Sequence, residues 1–166
     1  KRGDVWTWDT ANGSYAAIDL GISGRSASEP MVITSYGSSG PRPLIESGPN
    51  RGFKMNGGSY KAVIGIEFYA HTRDPDNPDY AGTSGKEGFR FGGTGSNLLL
   101  EDCKFSYYVS AGVCLGQAER ANFIDDIVIR RNVLVDSYST DSHSQGIFTD
   151  KIDGELIEEN VLDHCG

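Results

Sequence analysis

Four short segments of this chain begin with glycine and then alternate in apolar character. They are Gly52-Phe53-Lys54-Met55, Gly88-Phe89-Arg90-Phe91, Gly112-Val113-Cys114-Leu115 and Gly146-Ile147-Phe148-Thr149. Each is followed by a second strand-like run that closes on a large apolar side chain: Ala62 to Phe68, Leu98 to Phe105, Ile127 to Leu134 and Leu156 to Leu162. The closing residues stand 37, 29 and 28 positions apart. Short strands, no helical periodicity and a drifting period of about 30 residues read as a solenoid of stacked parallel strands. Each turn contributes two or three strands, and each strand lies on its equivalent in the next turn.

Composition agrees with this reading. Glycine supplies 22 of 166 residues, with only 6 prolines and no low-complexity tract, so the glycine marks tight turns rather than disorder. The length suits one domain over residues 1–166. The net charge of −8 argues against a nucleic-acid partner or an anionic membrane surface, although a local basic patch can still hold an anion. No apolar stretch is long enough for membrane insertion. The chain opens Lys1-Arg2-Gly3-Asp4 without an initiator Met or an apolar run, and reads as processed or trimmed. Cys103, Cys114 and Cys165 fit neither a disulfide framework nor a zinc pattern and are expected as free thiols. Asn132 and Asn160 each precede a closing Leu by two residues, where an inward Asn can hydrogen-bond the turns above and below. Cys103 holds that place one turn earlier, as a small buried filler.

Over residues 30–166 this pattern resembles the right-handed parallel β-helix superfamily, which includes pectate-lyase-like polysaccharide lyases, some glycoside hydrolases and alginate epimerases. The front part, Lys1 to Asp4 through Tyr36-Gly37 and Pro41-Arg42-Pro43, is similar to the opening of bacterial right-handed β-helix repeat proteins. The resemblance implies an all-β, single-stranded right-handed parallel β-helix of about five coils. It orders each coil as the Gly-led strand, then the run before the Asn, then the strand around the closing residue. Alternation turns Phe53 and Met55, Phe89 and Phe91, Val113 and Leu115, and Ile147 and Thr149 inward. Lys54, Arg90, Cys114 and Phe148 then form an outward column with a step of about 4.8 Å. β-helix enzymes bind their polymer along this face.

The resemblance also suggests where chemistry resides. The loop from Asp136 to Ser144 concentrates Tyr138, Asp141 and His143 ahead of Gln145. A His oriented by an Asp is a better base, and a nearby Tyr can carry a second proton. The Y-x-x-D-x-H spacing is similar to the Tyr-Asp-His motif of bacterial mannuronan epimerases, without the Pro of that motif. The alternative is a turn capped by its own Asp and Ser side chains. Lys54 and Arg90 would hold carboxylates of neighbouring uronate sugars. Tyr107 and Tyr108 would stack on sugar rings, with Gln145, Phe148 and Asp150 facing the same groove. No cation adjoins His143 in the sequence, which favours a binding module without activity. Asp74, Asp76 and Asp79 could hold Ca²⁺ through hard oxygens, or belong to a rigid exposed loop. A two-carboxylate hydrolase would have to rely on Asp141 and Asp150, because Asp153, Glu158 and Glu159 read as turn and strand-end residues.

These expectations combine into a secreted or periplasmic β-helix protein acting on an acidic polysaccharide by β-elimination or epimerisation. The alternatives are a non-catalytic polysaccharide-binding or surface module and, third, a glycoside hydrolase. The chain stops directly after Val161-Leu162 with no capping element. It is therefore expected to be the N-terminal portion of a longer β-helix, or to pair its last coil with another chain.

Overall fold

The computed structural model describes residues 5–7, 21–82, 86–116, 123–140 and 143–166. Among them every strand named below pairs in parallel, and the helical content is one 3-10 turn, His71–Arg73. A first strand, β1 (Val5–Thr7), precedes a repeating three-beat series. The first set is β2 (Met31–Thr34), β3 (Leu44–Glu46) and β4 (Phe53–Asn56). The next is β5 (Lys61–Ile64), β6 (Glu67–Tyr69) and β7 (Glu87–Gly92). Then come β8 (Gly95–Glu101), β9 (Lys104–Ser106) and β10 (Ala111–Leu115), followed by β11 (Ile124–Arg130), β12 (Val133–Val135) and β13 (Gln145–Thr149). The chain closes with β14 (Ile152–Glu158) and β15 (Val161–Asp163).

Equivalent strands stack into three sheets. Sheet 1 runs β2-β5-β8-β11-β14, sheet 2 runs β1-β3-β6-β9-β12-β15, and sheet 3, the Gly-led one, runs β4-β7-β10-β13. This is an all-β parallel solenoid. Its core is one continuous cluster in which Phe53, Phe89 and Val113 from sheet 3 meet Phe68, Phe105 and Leu134 from sheet 2 and Val63, Leu100 and Ile129 from sheet 1. Phe68 and Phe105 stack at 5.1 Å between ring centroids, and Phe53 and Phe89 at 6.0 Å.

The two halves of the sequence period touch each other. A Cβ on Gly88 would stand 2.7 Å from the Phe105 ring, and one on Gly112 would stand 2.5 Å from Leu134 Cδ2. The leading glycine therefore leaves the space that the closing residue of the same turn fills. That is why glycine and a large apolar residue recur together along the chain.

The corner from sheet 1 to sheet 2 takes two residues. The first has a left-handed backbone: Gly65, Asp102, Arg131 and Glu159 have φ of 71°, 53°, 57° and 54°. The second points inward, and here the Asn ladder forms. The Cys103 N–H donates to Asn132 Oδ1 at 2.9 Å, and the Asn132 N–H donates to Asn160 Oδ1 at 2.9 Å. Asn132 Nδ2 also donates to the Leu100 carbonyl at 3.0 Å, and Asn160 Nδ2 to that of Ile129 at 2.9 Å. All three cysteines are free thiols.

The last turn is less buried than the turns inside the stack. Ile157 and Leu162 occupy the inward columns of Ile129 and Leu134, which are fully buried, yet they are 45% and 48% exposed. No helix among the described residues is long and apolar enough to cross a membrane.

Candidate functional site

The outer face of sheet 3 carries the column expected from alternation. Lys54 pairs with Arg90, Arg90 with Cys114 and Cys114 with Phe148, one residue per turn. A second column lies beside it: Glu87, Ala111 and Gln145 are in register, with Arg51 ion-paired to Glu87 from the turn below. The columns are three residues apart rather than two. Gly88 and Phe89 both face the core at the corner, so Glu87 and Arg90 face outward together.

These outward groups bind one another. Arg51 Nε donates to Glu87 Oε2 at 2.5 Å, and Arg90 Nη1 lies 3.5 Å from Glu87 Oε1. The Glu87 and Arg90 side chains are only 8% and 12% exposed, so the pair is fixed in a partly dry setting. Such a setting strengthens its interaction with a ligand charge. Arg90 Nη1 also donates to Cys114 Sγ at 3.0 Å. Burial pushes the Cys114 thiol up, and the charge of Arg90 partly opposes it.

Beside this column is a cleft of 340 Å³ lined by Glu87, Ser110, Ala111, Cys114, His143, Gln145 and Phe148. His143 is exposed at its wall, on the loop that leads into β13. No cation adjoins His143 in the sequence, and Arg90 reaches its cleft only through Cys114. Arg90 is bonded to Cys114, and Cys114 shares the cleft with His143. Asp141, expected to orient His143, lies outside the described residues.

Tyr138 does not face this cleft. It lines a separate one with Asp136, Leu162, His164 and Cys165. Its ring lies 4.6 Å from the Arg73 guanidinium, and its carbonyl accepts a hydrogen bond from Arg73 Nη2. Arg73 further donates to the carbonyls of Asp136 at 2.8 Å and Tyr107 at 3.2 Å, tying the long loop after β6 to two later turns. The expected pairing of Tyr138 with His143 is thus replaced by two residues on two clefts.

Other expected site residues separate in the same way. Tyr108 is a correction: it is fully buried, and its hydroxyl bonds Ser47 Oγ at 2.8 Å inside the core, so it offers no ring to a sugar. The left-handed Tyr107, φ 66°, turns the chain so that the next side chain points inward. Tyr107 itself packs against Tyr69 at 5.8 Å between centroids. Gln145 and Phe148 line the cleft, whereas Asp150 is exposed just past the end of β13.

Asp74, Asp76 and Asp79 do not gather around a common centre. Asp74 Oδ2 accepts from the Tyr69 hydroxyl at 2.5 Å and its Oδ1 from the Asp76 N–H at 3.0 Å, while the Asp79 N–H donates to Asn77 Oδ1 at 2.9 Å. Burial alone would raise Asp74, but these bonds outweigh it and hold the carboxyl below its ordinary range. Among the described residues no group of three His, Cys, Asp or Glu side chains is placed to hold a metal ion.

Sequence reasoning missed Arg51, Glu87 and Arg73. The signal for the first two is positional, since each directly precedes a leading glycine. No protein-family model, curated protein or solved structure matches the chain.

Proposed function

We propose that the outer face of sheet 3 holds an acidic polysaccharide and that His143 transfers a proton on it, as in a polysaccharide lyase or a uronate epimerase. One observation carries this reading: the in-register column Lys54, Arg90, Cys114, Phe148 enters, at Cys114 and Phe148, the cleft that His143 lines. A local basic patch on an acidic chain draws in a polyanion while the rest of the surface repels non-specific partners. Arginine suits the carboxylate because its planar fork matches two oxygens.

The chemistry is simple to state. The neutral imidazole removes the proton α to the uronate carboxylate, and the Arg90 charge stabilises the resulting enolate. In β-elimination the electron pair forms the C4–C5 double bond and expels the glycosidic oxygen, which takes the proton back from the imidazolium. In epimerisation a solvent water protonates the opposite face of the same carbon, the imidazolium returns its proton to solvent, and no bond to oxygen breaks. Hydrolysis is less well served, because Glu87 is tied to two guanidinium groups and Asp150 stands off the end of the strand. The rule for parallel crossovers makes the solenoid right-handed. A polymer of this kind is met outside the cytoplasm, which suits a secreted or periplasmic protein.

A second reading, binding without turnover, is favoured by the engagement of Tyr138 with Arg73 on the other cleft. The test is incubation with alginate, pectate and glycosaminoglycans. Ultraviolet absorbance reports the new double bond, and proton NMR reports inverted uronate. We expect one of these signals, lost in His143→Ala with the melting temperature unchanged. Binding with neither signal establishes the second reading, and absence of binding overturns both.

A further inference from the structure

The face of sheet 3 is divided into a charged half and an uncharged half. The turns of β4 and β7 present Arg51, Lys54, Glu87 and Arg90. The turns of β10 and β13 present Ala111, Cys114, Gln145 and Phe148. Each turn advances about 4.8 Å, close to the advance of one sugar in an extended chain. A bound glycan therefore lays consecutive sugars against chemically different surfaces.

We infer that this groove takes a heteropolymer in which a uronate is linked to a neutral sugar, the uronate lying against Arg90 and Lys54 and the neutral ring in the cleft against Phe148. This rests on the acidic-glycan reading and narrows its substrate class. Three features of the cleft support it. A carboxylate placed there would lose water without gaining a cation from Ala111, Cys114, Gln145 or Phe148, which is costly. Glu87 lines the same cleft and repels a second anion. The half-buried Phe148 ring offers an apolar surface to the C–H face of a sugar, while Gln145 and Ser110 supply hydrogen-bonding groups for hydroxyl or acetamido substituents.

The division also places the reaction. Glu87 and Arg90 belong to one strand, and Glu87 shares the cleft with His143. The imidazole thus stands at the border between the halves, over the bond from the uronate C4 to the glycosidic oxygen that links it to the neutral sugar. Elimination at that bond leaves an unsaturated uronate on the charged side and a neutral reducing end in the cleft.

The experiment is calorimetric titration of the 166-residue chain with three hexasaccharides: oligogalacturonate, unsulfated chondroitin and cellohexaose. The alternating chondroitin probe is expected to bind about tenfold tighter than the all-uronate probe, with cellohexaose weakest. Phe148→Ala should erase the preference by weakening the alternating probe alone, whereas Arg90→Gln should weaken both acidic probes. Phe148→Leu keeps bulk on the strand while removing the flat ring, and should behave as Phe148→Ala does. Equal or tighter binding of the all-uronate probe, or equal losses of both acidic probes in the Phe148 variants, overturns this inference and leaves the acidic-glycan reading standing. Failure of both acidic probes to bind overturns the two together.

Discussion

At the scale of single residues, the corner between sheets 1 and 2 explains the most. Asn132 spends its whole amide inside the core: its oxygen satisfies the Cys103 N–H and its nitrogen satisfies the Leu100 carbonyl. Cys103 continues the column with a thiol that burial pushes up to about 12, against lowering contributions from the backbone N–H groups of Ile66 and Gly65. By register Ile66 stands to Cys103 as Cys103 stands to Asn132, so the Ile66 N–H is placed for an Asn carboxamide oxygen at this position, whereas the Gly65 N–H donates to the Glu101 carbonyl. Replacing Cys103 by Asn should therefore extend the ladder by one turn and leave the melting temperature level or higher. Asn132→Leu strands the Cys103 N–H and the Leu100 carbonyl of the preceding turn and should cost about 1–3 kcal/mol. Denaturant titration of both variants decides it. A Cys103→Asn protein as damaged as Asn132→Leu would mean that the corner does not accept a ladder amide at that turn.

At the scale of elements, the strands of sheet 3 depend on the closeness of glycine to the closing residue. A methyl group at Gly112 would stand 2.5 Å from Leu134 Cδ2 and 2.9 Å from the Gly146 carbonyl. Gly112→Ala should then destabilise by about 1–3 kcal/mol through overpacking. Adding Leu134→Val withdraws the crowding methyl, so the double variant should lose less than the two single losses combined. Strict additivity in a denaturant-melt cycle would show that the two positions do not share the space. The same elements show what could be read in advance. Phe53, Phe89, Val113 and the outward column were legible because strands obey a period of two. Glu87 and Arg51 were not, because Gly88 and Phe89 face inward in succession and break that period at the corner. Tyr108 was misassigned for a related reason, since the left-handed Tyr107 reverses the face of the next residue. Tyr138 and His143 sit on a loop whose path no periodicity fixes, so their nearness in sequence did not make them neighbours on one cleft.

At the scale of the whole molecule, a solenoid is close to one-dimensional, and each turn is stabilised mainly by its neighbours. Ile129 and Ile157 make this measurable, because they occupy the same column in paired strands, β11 and β14. Ile129 is enclosed by turns on both sides and fully buried, whereas Ile157 has a neighbour on one side only and is 45% exposed. Ile129→Ala should cost about 2–5 kcal/mol, as for a large-to-small change in a packed core. Ile157→Ala in the same 166-residue chain should cost less than half of that, since its side chain already meets water. The comparison also reports on partners. Where the end turn stacks on a second chain, Ile157 becomes an interior residue, and its cost rises with protein concentration while that of Ile129 stays fixed. Chemical denaturation of both variants at two concentrations separates these outcomes. Equal costs at both concentrations would contradict the one-sided packing of the last turn and, with it, the nearest-neighbour account of how this fold is held together.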